Sequence, residues 1–440
     1  MDANIRYTVI GLARSGIAAA RKIQSLGGEV FISEYNPADA HPQWNVLQTE
    51  FAIEFGGHTQ RALQCDCIIV SPGVPPNTPI LREAASRGIE IISEIEFGYR
   101  IKSHASKIIA VTGSNGKSTT VSLIHHLLLQ AGMRSVLGGN IGTAFTAHPI
   151  EEPGLDVIVL ELSSFQLERV PSFRPDVAVL LNITPDHLNR YPDFDAYAQT
   201  KFNIFAHQKP TDVAIINGDD PVIKRFASNI PIATTAFSTE SAAPCCYQDG
   251  VIRCGDRFFD ASRATIRGKH NHANIMAALL AVQPFGIPQK ILQKGLETFT
   301  PLPHRLEYVR TIDNVEFYND SKATNTDSVK YALQAFNQPI RIILGGAGKG
   351  EDYRILNPLL KKYAKKIYLT GATAKEMETA FRGTAEIALI PNFAECIQTA
   401  WHEATPGDKV VLSPACTSYD AFANFEERGN RFKEIVQALA

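Results

Sequence analysis

The segment Thr112-Gly113-Ser114-Asn115-Gly116-Lys117-Ser118-Thr119 lies between the apolar run Ile108–Val111 and an apolar stretch through Leu127–Leu129. A glycine-rich turn in that position constrains the fold more than any other part of the chain, because it asks for a strand that feeds directly into a helix N-terminus. Gly113 and Gly116 let backbone N–H groups curl around phosphate oxygens, and the helix start adds partial positive charge. In such a cradle, built from Gly113 to Thr119, Lys117 neutralises the β- and γ-phosphates and Ser118 offers a hydroxyl to Mg²⁺. The pattern departs from the usual one, since Val111 stands where a glycine five residues before Gly116 is expected. The bland alternative is an ordinary glycine turn.

Short apolar runs recur with helix-like segments between them, which predicts α/β units with parallel strands throughout. At about 150 residues per domain, 440 residues suggest three domains. With 45% hydrophobic and 20% charged residues the chain is expected to fold throughout. The first block, residues 1–104, has strands at Tyr7–Ile10, Val30–Ser33 and Cys67–Val70, and a helix over Ile17–Leu26. Polar Lys102–Lys107 marks its end. The second, 105–301, has strands at Ile108–Val111, Val157–Leu162, Val177–Ile183 and Val213–Asn217, then a helix at Asn274–Val282; the elements of its stretch from Ile230 to Gly268 are not placed. After the proline-marked linker Thr300–Pro303, the third, 302–440, has strands near Val315–Tyr318, Ile340–Leu344, Lys366–Leu369 and Val410–Leu412. The fold class is α/β, with Rossmann-like outer domains around a central phosphate-loop ATPase-type domain.

A formal net charge of −2, from 43 Lys and Arg against 45 Asp and Glu, leaves no global field to draw the chain onto nucleic acid or an anionic membrane. No apolar run approaches the ~20 residues that span a bilayer, and Met1–Arg6 with Tyr7–Ile10 does not form a signal peptide. Seven scattered cysteines make no disulfide framework. Cys65-Asp66-Cys67 and Cys245-Cys246, with only Cys254 nearby, lack the spacing of a zinc knuckle. These features point to a protein of the reducing cytoplasm, with thiols rather than disulfides.

Other polar groups cluster at strand ends. Glu161 closes Val157–Leu160 and precedes Leu162-Ser163-Ser164-Phe165-Gln166; a carboxylate there can reach a nucleotide's Mg²⁺, or simply cap a strand. Asn182-Ile183-Thr184-Pro185-Asp186-His187 brings a carboxylate and an imidazole to the same sheet edge. By spacing alone Lys201 is a helix-surface lysine. His304-Arg305 follows the linker, where the arginine could reach a γ-phosphate or make a salt bridge between domains. Gly345-Gly346-Ala347-Gly348-Lys349-Gly350 is a second glycine-rich loop that could cradle an anion or merely turn. Gly11-x-Ala13-x-x-Gly16 has alanine in place of the second glycine of a dinucleotide fingerprint, which argues against a redox cofactor, while Glu34 leaves a ribose of a nucleoside diphosphate open.

Taken together, Gly113–Thr119, Glu161–Leu167, Asn182–His187, His270-Asn271-His272-Ala273-Asn274 and Asn319-Asp320-Ser321-Lys322 resemble, in order and spacing, the Mur ligases of peptidoglycan synthesis. Within that family, Leu412–Asp420 and Asn424–Gly429 look most like the branch that adds D-glutamate to UDP-N-acetylmuramoyl-L-alanine, and the Asp-Asn-Pro-Arg motif of the diaminopimelate- or lysine-adding branch is absent. The resemblance implies an ATP-dependent amide ligase that works through an acyl phosphate. Residue by residue it implies that Lys117 holds the β/γ-phosphates and that Ser118 and Glu161 serve one Mg²⁺. His187 would bind a second, and Lys201 would be carbamylated into a metal ligand. Asn271, Asn274, Arg305 and Asp320 would hold ATP. Asn140, Ser163, Gln166 and His187 would meet the muramoyl peptide, and Lys322, Thr324, Lys349, Ser418 and Phe425 the D-glutamate side. The uridine diphosphate would rest on Leu12, Ala13, Arg14, Ser15, Glu34–Asn36 and Gly73. A monomer with no nucleic-acid or membrane partner is expected.

Three alternatives are weighed against it. A folylpolyglutamate synthase would lack a separate first domain such as Met1–Lys102; a phosphate-loop kinase fits the third domain poorly; a nucleotide-binding regulatory module would show no turnover dependent on an amino acid.

Overall fold

The computed structural model describes residues 5–41, 44–186, 190–336 and 338–439, which fold as two compact units divided between Phe299 and Thr300. The first unit holds two sheets. One contains β1 (Arg6–Ile10), β2 (Glu29–Ser33), β3 (Ala52–Glu54), β4 (Cys67–Val70) and β5 (Glu90–Ser93), all parallel in the order β3-β2-β1-β4-β5. The other contains β6 (Lys107–Thr112), β7 (Ser135–Gly139), β8 (Val157–Glu161), β9 (Val177–Leu180), β10 (Val213–Asn217), β11 (Thr234–Ser238), β12 (Cys245–Gln248), β13 (Val251–Cys254) and β14 (Arg257–Asp260). Its order is β14-β13-β12-β11-β10-β9-β6-β8-β7. The second unit is built on β15 (Glu307–Ile312), β16 (Val315–Asn319), β17 (Ile340–Leu344), β18 (Ala364–Leu369), β19 (Glu386–Leu389) and β20 (Lys409–Leu412), ordered β15-β16-β20-β17-β18-β19.

The central strands are apolar without alternation because both faces are covered. On one face Val111, Val159 and Val179 pack with Ile124 and Leu127 of the helix Lys117–Gln130. On the other, Ala110, Leu160 and Leu180 meet Phe145, Phe173, Tyr197 and Phe205. The helix Lys269–Val282 is buried on every side from Asn274 onward, which explains its lack of a polar face.

The parallel order expected throughout fails at three strands. β13 and β14 run antiparallel to their neighbours, as does β15 against β16. Tight two-residue turns cause this, the one between β13 and β14 holding Gly255 at φ 59°. Asp249 and Gly250 have φ of 49° and 86°, and Asp313 and Asn314 have 46° and 61°, the left-handed pairs that close two-residue hairpins. The first hairpin also places Cys245 opposite Cys254, where the two form a disulfide. That corrects the expectation of thiols throughout; Cys65, Cys67, Cys246, Cys396 and Cys416 are free. Among the described residues no helix is long and apolar enough to cross a membrane.

Candidate active site

The register pairs Val111 with Glu161 and Thr112 with Leu180, so the loop after β6, the carboxylate ending β8 and the segment after β9 leave the sheet side by side. Gly116, at φ 84°, turns the loop into the helix Lys117–Gln130. A Cβ at that position would lie 2.4 Å from Asn274 Oδ1. Asn274 also accepts from Thr120 Oγ1 at 3.3 Å and donates to Asn271 Oδ1 at 3.1 Å. Gly116, Asn271 and Asn274 are thus brought together.

Asn182 clamps the loop. Its Oδ1 accepts from Asn115 N at 2.8 Å, its Nδ2 donates to Asn115 O at 2.9 Å, and its carbonyl accepts from Ser114 N at 2.9 Å. The Ser114 hydroxyl donates to Thr184 O at 2.9 Å and lies 2.9 Å from the Tyr197 hydroxyl. The expected strand Val177–Ile183 therefore stops at Leu180, because Asn182 and Thr184 turn aside to hold the loop.

Lys117 Nζ donates to the Gly113 and Ser114 carbonyls, both at 2.8 Å. Lys201 donates to the same Gly113 carbonyl at 3.0 Å and is 2% exposed. Spacing had placed it on a helix surface; instead the helix Phe194–Phe202 turns it inward. Burial, with the neighbouring Lys117 charge, drives the Lys201 amine well below its ordinary value, and Asp186 opposes this only in part.

Glu161 is buried; its Oε1 accepts from Asn140 Nδ2 at 2.7 Å and its Oε2 has no hydrogen-bond partner. An orphaned carboxylate oxygen is costly unless a cation or donor completes it. With the buried Ser118 and Thr119 on the facing helix turn, the donors are the hard oxygens that suit Mg²⁺. Among the described residues no group of three or more His, Cys, Asp or Glu stands together as a metal site. His187 lies outside the described residues. Ser163 and Gln166 pair locally, Ser163 N and Oγ donating to Gln166 Oε1 at 3.0 and 3.2 Å.

A cavity of about 800 Å³ opens at the carboxyl ends of β1, β2 and β4, with Leu12, Ala13, Tyr35, Asn36 and Gly73 in its wall. That is the edge where strand order reverses in a parallel sheet, the usual ligand position. Glu34 Oε2 accepts from Leu12 N at 2.6 Å and Oε1 from Asn36 N and Nδ2 at 2.8 and 2.9 Å. Its carboxylate thus shapes the turn after β1. Ser15 is buried in the helix Arg14–Ser25. Arg14 turns away from this cavity toward the central sheet, donating to Gly139 O at 3.4 Å and Asn140 O at 3.2 Å.

In the second unit, Asp320 follows β16, Ser413 follows β20 and Lys349 lies on the loop after β17, all at one sheet edge. Asp320 Oδ2 accepts from Ser413 Oγ at 2.8 Å and Oδ1 from Leu306 N at 3.1 Å. Burial raises this carboxyl to about 7, against the two hydrogen bonds and the Arg305 charge. Lys322 Nζ sits 3.7 Å from the centre of the Phe425 ring, Thr324 N donates to Lys322 O at 2.8 Å, and Ala347 and Thr417 exchange hydrogen bonds at 3.0 Å. Lys322 and Phe425 therefore meet, with Thr324 on the turn that follows Lys322, and the loop carrying Lys349 is tied to the one carrying buried Ser418. Sequence reasoning assigned no role to Arg428, 2% exposed, which links these loops. It donates to Ser321 Oγ, Ser321 O, Cys416 O and Thr417 O at 3.0, 2.8, 3.0 and 3.0 Å. Nothing in its spacing marks it as buried.

Three family models match: the Mur ligase MurD-like N-terminal domain over residues 5–93, the Mur ligase middle domain over 111–282, and the Mur ligase glutamate ligase domain over 304–416. A protein of Salinibacter ruber named UDP-N-acetylmuramoylalanine--D-glutamate ligase is 40% identical over 453 residues, covering 99% of this chain and 98% of its own. One of the same name from Cytophaga hutchinsonii is 39% identical, covering 99% of each. Among solved structures, a pseudomurein peptide ligase type C from Methanothermus fervidus aligns with TM-score 0.63 at 18% identity, over 99% of both chains. The UDP-N-acetylmuramate-alanine ligase MurC of Thermotoga maritima gives 0.63 at 17%, over 99% of this chain and 100% of that one. These two share the fold. With relatives this similar along its whole length, the chain belongs to the Mur ligase family.

Proposed function

We propose that this protein joins D-glutamate to UDP-N-acetylmuramoyl-L-alanine at the expense of ATP, in the cytoplasm and as a monomer. The observation that carries the reading is the whole-length likeness to ligases of that name. The site supports it. A carboxylate oxygen of the substrate attacks the γ-phosphorus of ATP, giving an acyl phosphate and ADP. The amine of D-glutamate then attacks the acyl carbon, the amide bond forms, and phosphate leaves with a proton.

Lys117, released from the carbonyls it now holds, follows the γ-phosphoryl charge, and the N–H groups of Gly113–Thr119 cradle the phosphates. Ser118 and Glu161 would hold one Mg²⁺, with His187 and a carbamylated Lys201 completing a second site. Mg²⁺ would supply neutralisation of phosphate charge. A neutral, buried Lys201 amine is the form that adds CO₂, giving a carbamate and a proton. Asn271, Asn274, Arg305 and Asp320 are assigned to ATP. Leu12, Ala13, Arg14, Ser15, Gly73, Asn140, Ser163 and Gln166 are assigned to the nucleotide-linked substrate, and Lys322, Thr324, Lys349, Ser418 and Phe425 to D-glutamate. Domain limits at 104/105 and 301/302 go with this reading.

The test is release of ADP and phosphate with ATP, Mg²⁺ and UDP-N-acetylmuramoyl-L-alanine, comparing D-glutamate with L-glutamate, L-lysine, meso-diaminopimelate and no amino acid. Release with a matching product mass only for D-glutamate is expected. Release with another amino acid reassigns the substrate, and no release overturns the reading.

A further inference from the structure

Arg190, which the proposed function assigns to no ligand, stands between two parts of the first unit. Its side chain is 12% exposed. Nε donates to Glu168 Oε1 at 2.9 Å and Nη2 to Glu168 Oε2 at 2.8 Å, a two-pronged ion pair. The same Nη2 donates to the Val74 carbonyl at 3.2 Å, and the guanidinium carbon lies 4.2 Å from the centre of the Phe165 ring. One planar group thus pairs with a carboxylate, stacks on a ring and reaches a carbonyl 116 positions away. Lysine has neither the fork nor the flat face for this.

Val74 lies on the loop after β4 and lines the 800 Å³ cavity beside Gly73. Its N–H donates to Ser71 O at 3.0 Å, and Ser71 Oγ donates to Gly11 O at 2.7 Å. A Cβ on Gly11 would come within 2.8 Å of Val74 Cγ2, so this loop is seated closely on the turn after β1. On the other side of Arg190, Phe165 and Glu168 bracket Gln166 on the single helical turn Phe165–Leu167, which has no side-chain cap at its start. Besides Arg190, that turn is held by the Tyr191 hydroxyl, which donates to Glu168 Oε1 at 3.0 Å, and by Asn203 Nδ2, which donates to Leu167 O at 2.9 Å. The main-chain bond from Ser93 N to Arg169 O, at 2.9 Å, also joins the two parts and does not need the guanidinium.

A buried ion pair is weak evidence of stabilisation, since desolvation offsets much of its attraction. A bidentate, stacked pair does fix orientation. A substrate whose nucleotide rests beside Gly73 and whose peptide end reaches Ser163 and Gln166 is bound on both parts. Its carboxylate meets the γ-phosphate correctly only if their separation is right, and a misplacement of about 1 Å can cost about 10²-fold in rate. We infer that Arg190 is a positioning residue for the reaction: it holds the loop after β4 and the turn carrying Gln166 at one separation, and so matches the site to the length of its substrate. This inference rests on the proposed function and adds what sets the span over which the substrate is read.

The experiment measures kcat, the KM of each substrate and the inhibition constant of UDP in the wild type, Arg190→Met, Arg190→Lys and Glu168→Gln, with Tm as the check of folding. In Arg190→Met, kcat/KM for UDP-N-acetylmuramoyl-L-alanine should fall at least about 30-fold, with the KM of ATP and of D-glutamate within about twofold of the wild type. The inhibition constant of UDP should stay within about threefold, because UDP occupies only one of the two parts. Arg190→Lys and Glu168→Gln should show the same pattern, less strongly. An unaltered kcat/KM in Arg190→Met overturns the inference, as does an equal loss for UDP or for all three substrates, which a residue that merely supports the fold would give. If Arg190→Met does not fold, the same pattern in Arg190→Lys and Glu168→Gln decides. No turnover by the wild type overturns the proposed function and the inference with it, whereas turnover with unaltered constants in the variants overturns the inference alone.

Discussion

Lys117 and Lys201 donate to one oxygen, the carbonyl of Gly113, from 2.8 and 3.0 Å. Two ammonium groups so close repel, and the buried one loses its proton more readily. The folded Lys201 amine titrates well below its ordinary 10.5, so between the two values the unfolded chain binds the extra proton. Stability therefore rises with pH across that window. In bicarbonate-free buffer Lys201→Met should match or exceed the wild type in Tm at pH 6 to 7, with the advantage shrinking toward pH 10, while ligase activity is lost. Parallel Tm curves across that range would refute a neutral buried amine.

The same amine gives a chemical signature. With ¹³C-labelled bicarbonate, the wild type should show a carbamate carbonyl resonance that Lys201→Ala lacks, and the signal should fade as acid protonates the amine. A resonance that survives in Lys201→Ala would place the modification elsewhere.

Glu161 has one satisfied oxygen and one buried oxygen with no partner. Glu161→Gln can keep the bond from Asn140 while removing the charge. The Mg²⁺ concentration for half-maximal activity should rise at least about tenfold, as loss of a charged oxygen ligand to a hard cation implies, with Tm equal to or above that of the wild type. An unchanged Mg²⁺ titration would show that the carboxylate does not serve the cation.

How far the residues foretold the structure depends on how local each signal was. The loop at Gly113–Thr119 was legible because a strand, two glycines and a helix lie in one short stretch. The inner strands of the parallel sheets were legible because double-sided burial makes them continuously apolar, whereas the edge strands β3, β5, β7 and β19 were not placed. The hairpins of β12–β14 escaped notice although Asp249-Gly250 is a strong turn signal, since β12 and β13 alternate weakly. Lys201 and Arg428 could not be read from spacing. Their burial depends on which way a helix faces in the packed fold, and the contact of Lys201 with Gly113 spans 88 positions. The departure of Asn182 from its strand likewise depends on a partner 67 positions away.

Asp320 is raised to about 7, chiefly by burial. Because the folded value lies above the unfolded one of 3.8, the fold favours the neutral acid. The stability it contributes is complete below 3.8 and is lost as pH rises through 7. Asp320→Asn keeps the shape without the charge, so it should raise stability at pH 8 by about one to a few kcal/mol, with the gain vanishing toward pH 4. Urea melts at both pH values measure this. The same change should weaken ATP, read as a raised KM. A stability gain equal at pH 4 and pH 8 would exclude Asp320 as its source.

Arg428 gives four hydrogen bonds, to two atoms of Ser321 and to the carbonyls of Cys416 and Thr417. Burial lowers it to about 10, so it remains a cation at neutral pH. The planar fork is needed, because one group must span the loop after β16 and the loop after β20. Lysine cannot reach four acceptors in that geometry, and methionine satisfies none. Arg428→Met should therefore cost about 3 kcal/mol or more, because it leaves several buried neutral acceptors without a donor at about 1–3 kcal/mol each. Arg428→Lys should cost less but should still raise the KM for D-glutamate several-fold, because Lys322, Ser418 and Phe425 lie on the segments it ties together. The effect should appear in the KM for D-glutamate and not in that for UDP-N-acetylmuramoyl-L-alanine, whose proposed residues lie mostly in the first unit. An Arg428→Lys enzyme with unaltered KM for D-glutamate would show that the loops hold their places without the guanidinium.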